Sequence, residues 1–178
     1  MRAIISVAAR EGLVELAREL QARGVTIFST SGTVNALKAS GISVQSVSEL
    51  TSFPEILGGR VKTLHPAIYG GILARRDMAG HLEELQAHNI IPIDMVVVNL
   101  YPFAETVARI DTTMNEALEQ IDIGGVSLIR AAAKNFQDVI VLVRPEDYAP
   151  VMQEWREQGE VSLQNPGRAE RMAGPSLR

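Results

Sequence analysis

The chain has 178 residues, of which 46% are hydrophobic and 21% charged, and its formal net charge is -4. This size and composition indicate a globular chain that can bury a core, and they exclude a disordered one. The acidic balance and an aromatic content of 4% argue against bulk binding to nucleic acid or to an anionic membrane, although they permit a local basic pocket.

The chain contains no cysteine, so disulfides, thiolate nucleophiles and Cys-ligated zinc are excluded. Its three histidines, His65, His81 and His88, form no HExxH motif or comparable cluster, and we expect neither a metal nor a cofactor. No apolar run approaches the roughly 18 residues of a membrane span, and the apolar N-terminal stretch is too short for a signal peptide. We therefore expect a soluble, cytoplasmic protein.

Strand-like and helix-like segments alternate along the chain. Ala3–Val7 is a short apolar run, and the apolar residues that follow at helical spacing predict a helix that ends at Gly24. A second strand is predicted over Val25–Ser29, followed by a helix over Val34–Ala39. Gly41 breaks that helix, and a weaker third strand follows it at residues 42–47.

The second half of the chain gives two further strands, Met95–Leu100 and Val139–Val143, and Pro145 with the acids after it begins a helix. Short apolar strands separated by helices predict an α/β fold with a mainly parallel sheet and helices on both faces. Because periodicity is lost near the end, we predict one domain over residues 1–158 and a weakly ordered tail over residues 159–178.

Ligands of such sheets bind beyond the carboxyl ends of the strands, so the strand-to-helix turns are the places to search. Ser6 and Arg10 follow the first strand. The second strand ends in STSGT, residues 29–33, which places four hydroxyls and a glycine at a helix N-terminus. Free N–H groups and the helix dipole favour an anion there. One hydroxyl would serve as an ordinary N-cap, but four exceed what capping needs, and we predict phosphate binding.

Residues 58–66 read GGRVKTLHP and combine two cations, a hydroxyl and an imidazole between helix-breaking residues. Loops carry either solvated surface residues or function, and local composition leaves both interpretations open. The same choice exists at other turns. Tyr101, just past the fourth strand beside Asn99, is explained by packing or by function. Asp122 before a Gly-Gly pair, and Lys134 after it, equally suit the two ends of a helix dipole.

Four motifs in order, GGRVKTLHP, NLYPF, QIDIGGV and RAAAKN, closely resemble the inosine monophosphate (IMP) cyclohydrolase domain of bifunctional purine biosynthesis proteins. The resemblance runs from about Ile4 to about Tyr148. It implies a methylglyoxal-synthase-like fold, and closure of 5-formamidoimidazole-4-carboxamide ribotide (FAICAR) to IMP with loss of water. It also implies an AICAR transformylase domain or chain as a partner, and we keep a homodimer open. The chain is then a stand-alone cyclohydrolase or a fragment.

The resemblance implies a set of catalytic residues: Lys62, Tyr101, Asp122 and Lys134. The candidate substrate-binding residues lie in the segments that would hold the nucleotide: Ser6, Arg10, Thr30, Ser31, Gly32, Thr33, Arg60, Thr63, Asn99, Gly124 and Gly125. At the first turn the family usually shows S-V-S-D-K-x-G, whereas this chain has Ala8, Ala9 and Arg10. Arginine can still bind a phosphate through two hydrogen bonds, but Ala8 removes a donor.

Asp122 and Lys134 are separated by about 18 Å if one uninterrupted helix joins them. Either Asp122 lies in a turn that folds back over the pocket, or the helix is short and Lys134 lies in the following loop. A different class of function is a phosphate- or nucleotide-sensing regulatory domain, which the same fold also serves. A sensor needs the phosphate turns but has no need of Lys62, Tyr101 and Asp122 together, so their joint presence favours an enzyme.

Overall fold

The computed structural model of the chain describes residues 1–100, 108 and 111–161. Five strands in these ranges form one sheet in the order β3-β2-β1-β4-β5, and every neighbouring pair is parallel. The strands are β1 (Arg2–Val7), β2 (Thr26–Ser29), β3 (Gln45–Ser46), β4 (Met95–Asn99) and β5 (Ile140–Leu142). The predicted α/β fold with a parallel sheet is confirmed.

Helices connect and cover these strands. Those in the described ranges are α1 (Leu13–Ala22), α2 (Ser31–Ala39), α3 (Val47–Thr51), α4 (Pro66–Leu73), α5 (Ala79–Ala87), α6 (Met114–Glu119), α7 (Ile123–Lys134) and α8 (Tyr148–Gln158). Single 3₁₀ turns occur at Leu57–Gly59 and Pro145–Asp147. None of the helices in the described part of the chain combines the length and apolar character that a membrane crossing requires.

Two hydrophobic clusters cover the two faces of the sheet. One joins α1, α2 and α8 to alternate strand residues such as Ile5 and Val97. The other joins α3, α4 and α7 to the residues between them, such as Ile4 and Val96. Because both faces of the sheet are covered, each strand is a continuous run of apolar residues, and such runs can be recognised in the sequence.

The sheet register places the carboxyl ends of three strands side by side. Val7 at the end of β1 pairs with Asn99 at the end of β4, and Ile5 pairs with Ser29 at the end of β2. The turns that leave these strands therefore meet at one edge of the sheet. This edge is where ligands bind in open parallel sheets.

Candidate active site

The turn between β1 and α1 is held in place by Asn99. The Asn99 Oδ1 atom accepts hydrogen bonds from the backbone N–H groups of Ala8 at 2.7 Å and Ala9 at 2.8 Å, and Nδ2 donates to the Ala9 carbonyl at 2.9 Å. The same Nδ2 contacts the hydroxyl of Tyr148 at 3.4 Å. Since both ends of this buried amide are engaged within the protein, Asn99 shapes the turn, and direct substrate contact by Asn99 stays a prediction.

The hydroxyl-rich turn begins α2, as the sequence predicts. Thr30 is the N-cap residue, and its Oγ1 lies 3.4 Å from the Ser6 Oγ at the end of β1. The Arg10 guanidinium reaches across from the first turn and donates to the Gly32 carbonyl at 3.2 Å. A cation and several hydroxyls thus lie together at a helix N-terminus, where an anion is favoured.

Glu55 links this turn to the loop that carries GGRVKTLHP. Its Oε1 atom accepts hydrogen bonds from the Ser31 hydroxyl at 2.6 Å and from the Ser31 backbone N–H at 3.3 Å. The sequence did not single out Glu55, because nothing local indicates that residues 24 apart in the chain meet.

The loop turns sharply at its two glycines. Ile56 and Val61 form an isolated antiparallel bridge around the 3₁₀ turn. Gly59 has a φ of +88°, and a Cβ at that position would lie 3.3 Å from the Lys62 Cε atom. A side chain at Gly59 would therefore be strained and would press on Lys62. The glycines serve the turn itself, and Lys62 folds back over it with its side chain exposed.

Beyond Lys62, the loop meets the N-terminus of α7. Thr63 is only 4% exposed, and its Oγ1 would lie 2.8 Å from a Cβ placed on Gly124. A Cβ on Gly125 would approach the Asp122 carboxylate and the Leu100 side chain at 2.9 Å or less. Both glycines are therefore required for the close approach of the loop and of Leu100 to this helix.

Asp122 caps α7. Its Oδ1 accepts a hydrogen bond of 2.6 Å from the Gly125 N–H, as in an ordinary N-cap. The helix runs without interruption from Ile123 to Lys134, so Lys134 lies in its last turn and the alternative of a short helix is wrong. Asp122 and Lys134 are thus about 18 Å apart along the axis, and one small reacting centre cannot touch both from this chain.

Tyr69 of α4 also belongs to this region, and the sequence reasoning missed it. Its hydroxyl is shielded from solvent, and it makes no hydrogen bond among the described residues. Burial raises the pKa of Tyr69, whereas the neighbouring hydroxyls of Ser127 and Thr63 act in the opposite direction. The available signal was its position in KTLHPAIYGG, one helical turn after the residue that caps α4, His65.

Arg60 forms an ion pair with Glu119 of α6 at 2.9 Å, with both side chains more than 60% exposed. Pairs of this kind contribute little free energy, so Arg60 remains available to a ligand. Tyr101 lies outside the described residues. Within the ranges that the structure describes, no group of three or more His, Cys, Asp or Glu side chains is arranged to hold a metal ion.

Comparisons with known proteins support the fold. Residues 12–127 match the family model described as the MGS-like domain, and residues 132–173 match the model described as the AICARFT/IMPCHase bienzyme. The bifunctional purine biosynthesis protein PurH of Chloroflexus aurantiacus is 59% identical over 163 residues, and that of Bacillus subtilis is 52% identical over 163 residues. Each alignment covers 92% of this chain and 32% of the relative.

The chain therefore spans about a third of the length of these curated relatives. A solved structure, described as the crystal structure of ForH, is 33% identical with a TM-score of 0.79, and the match covers 97% of this chain and 88% of that one. The sheet, the shared edge of loops and these matches lead to one conclusion: the chain belongs to the family of MGS-like domains.

Proposed function

We propose that the chain is an IMP cyclohydrolase, which closes FAICAR to IMP with loss of water. Its relatives are named as bifunctional purine biosynthesis proteins, and the second matching family model carries the cyclohydrolase in its description. AICAR transformylase as the second half of a bifunctional protein, a homodimer and a cytoplasmic location remain predictions of the sequence.

One observation carries the proposal: the segment 55–63 joins the N-termini of two helices. At one end Glu55 binds Ser31 of α2, and at the other Thr63 packs on Gly124 of α7. A nucleotide that places its phosphate at α2, beside Arg10, would extend along this segment toward the start of α7. Its base would then lie among the chemical groups that ring closure needs.

Ring closure requires several proton transfers. The carboxamide nitrogen of FAICAR attacks the formyl carbon, a C–N bond forms, and negative charge develops on the formyl oxygen. That oxygen takes two protons and leaves as water, while the carboxamide nitrogen loses one proton and the formamide nitrogen loses the other. A positioned general acid or base contributes roughly 10²–10⁴-fold, and one oxyanion donor about 2.7–4 kcal/mol. Both reacting groups belong to one molecule, so their alignment supplies much of the remaining acceleration.

We assign these roles to residues at the 55–63 segment and the α7 N-terminus. Lys62 is the cationic donor to the formyl oxygen, since its ammonium is free to swing from Gly59 toward a ligand. Asp122 is the base for the amide proton, because the cap hydrogen bond uses Oδ1 and leaves Oδ2 for the substrate. Tyr101 is the expected phenolic acid. Lys134 stays a candidate from the resemblance, and the length of α7 does not support a place for it at this centre.

The decisive experiment is to incubate the purified chain with FAICAR and follow IMP by chromatography, against a reaction without protein. We expect IMP to form faster with the wild-type chain than without protein, and roughly 10²-fold or more slowly with Lys62→Ala than with the wild type. A chain that binds IMP in calorimetric titration yet leaves FAICAR unchanged would be a nucleotide sensor, and the proposed activity would be wrong.

A further inference from the structure

The phenol of Tyr69 lies where α4 packs on α7. Ile68 and Ile72, its neighbours on α4, are fully buried against residues such as Leu128 of α7. The Tyr69 ring packs at the border of this cluster, and its hydroxyl is shielded from solvent. The ring therefore contributes to the core, but the hydroxyl needs a separate explanation.

A buried hydroxyl without a partner costs folding free energy, because it gives up hydrogen bonds to water. In the part of the chain that the structure describes, only two side-chain atoms are in this condition, the Tyr69 hydroxyl and the Arg76 Nε. Arg76 offsets its loss with a 2.9 Å ion pair to Asp94. A phenylalanine would fill the same space as Tyr69 without the cost. An unsatisfied buried group of this kind calls for a specific use.

Two hydroxyls lie next to the phenol, those of Ser127 and Thr63. The Ser127 Oγ already donates to the Ile123 carbonyl at 2.8 Å, within its own helix. The Thr63 side chain is almost fully buried against Gly124, with the Tyr69 phenol as its neighbour. Thr63 is therefore the hydroxyl to which the Tyr69 phenol can donate a hydrogen bond after a small movement.

We propose that Tyr69 is a positioning residue, which donates to the Thr63 Oγ1 and so directs the Thr63 hydroxyl toward the bound nucleotide. A threonine hydroxyl has one proton, and an incoming donor leaves that proton free to be given to a ligand oxygen. A phenol with its ordinary pKa of 10.0 is protonated at neutral pH, as a donor must be, and burial raises the pKa of Tyr69 further. This inference rests on the proposed function, because it assigns a ligand to Thr63.

The test is a double-mutant cycle with Tyr69→Phe and Thr63→Val, read in kcat/KM for FAICAR and in the dissociation constant of IMP. Tyr69→Phe should lower kcat/KM at least threefold, about the value of one neutral hydrogen bond, while the melting temperature stays equal or rises. In the Thr63→Val background, Tyr69→Phe should change neither readout, because the acceptor is already gone. Ser127→Ala is the matched control and should keep both readouts at the wild-type level.

Three results would overturn the inference. They are additive effects of the two substitutions, a fall of less than threefold in Tyr69→Phe, and a loss of activity that only follows a lower melting temperature. The failure of the proposed function is recognisable separately. A wild-type chain that binds IMP without turnover would refute the cyclohydrolase. The IMP dissociation constants of the four variants would then still decide whether Tyr69 acts through Thr63. A wild-type chain that does neither would refute both.

Discussion

Glu55 and Ser31 form a contact at the point where a phosphate is expected. The Glu55 carboxylate accepts hydrogen bonds from both the hydroxyl and the N–H of Ser31, which is the first residue of α2. A carboxylate at a helix N-terminus is itself stabilised by the dipole. The protein therefore supplies an anion of its own beside the site that we assign to the ligand phosphate.

Glu55→Gln should tighten the binding of IMP by about fivefold. The amide oxygen of glutamine can still accept from Ser31, but the negative charge beside a phosphate dianion is removed, which is worth on the order of 1 kcal/mol at a solvated surface. Calorimetric titration at low and high salt checks this, since the gain should shrink as salt screens the charges. Weaker binding in Glu55→Gln would instead make Glu55 a ligand contact.

Lys62→Ala should lower kcat by roughly 10²-fold or more, as expected for the loss of an oxyanion donor. Lys38→Ala on the exposed face of α2 is the control for a lost lysine and should keep the wild-type kcat. Steady-state kinetics with FAICAR separate the roles, because an unchanged kcat with a raised KM would make Lys62 a binding residue.

Arg10→Ala should weaken IMP binding by about 10- to 150-fold, because a charge-assisted hydrogen bond to phosphate is worth roughly 1.5–3 kcal/mol. Arg10→Lys should recover part of the loss, since the charge returns without the planar fork. Saturated turnover should change little, because the phosphate is held equally in the ground and transition states.

Arg18→Ala, which removes an exposed cation from α1, should leave IMP affinity unchanged and serves as the control. Equal dissociation constants for the wild type and Arg10→Ala would limit Arg10 to its hydrogen bond with the Gly32 carbonyl.

Activity should survive EDTA, since the mechanism needs only proton transfers and the described residues hold no cluster of metal ligands. The check is the rate of IMP formation before and after extensive dialysis against the chelator. A rate that falls and is restored by a divalent ion would contradict this prediction.

Stability should fall as the pH rises above about 10, partly through two buried phenols. Burial raises the pKa of Tyr69 and of Tyr148 above their ordinary value of 10.0, so the folded chain keeps these protons longer than the unfolded chain. Their contribution to the free energy of unfolding is complete below pH 10 and is lost as the pH rises above it. Urea unfolding between pH 9 and 11 should show that the free energy of unfolding falls less steeply with pH in Tyr69→Phe and Tyr148→Phe than in the wild type. Equal pH dependence in the variants and the wild type would contradict the prediction.

Four of the strands could be located from sequence to within a residue, because a buried parallel strand is a continuous apolar run. The third was predicted over residues 42–47, but pairing is confined to Gln45–Ser46. Ile42 and Val44 precede β3 and are buried in the core cluster of α1 and α2. Their apolar side chains therefore indicate burial in the core and not strand pairing.

The helix α4 was not predicted, because Gly70 and Gly71 in its second half are typical of loops. The structure gives the reason for Gly71, where a Cβ would collide with the Ile91 carbonyl. The parts of the site at strand ends were predictable, since parallel strands share an edge. The contacts of Glu55 with Ser31 and of Tyr69 with Thr63 depend on the packing of separate segments, and no local pattern encodes them.

The contact between Thr63 and Gly124 has a consequence for how this chain can vary. The threonine hydroxyl fills the volume that a methyl group on the helix would need, so the two positions share one small space. A library randomised at both positions should return only pairs whose combined volume is conserved, with residues larger than threonine absent at 63 whenever 124 is not glycine. Sequence change at this corner of the fold is thus coupled across 61 positions of the chain.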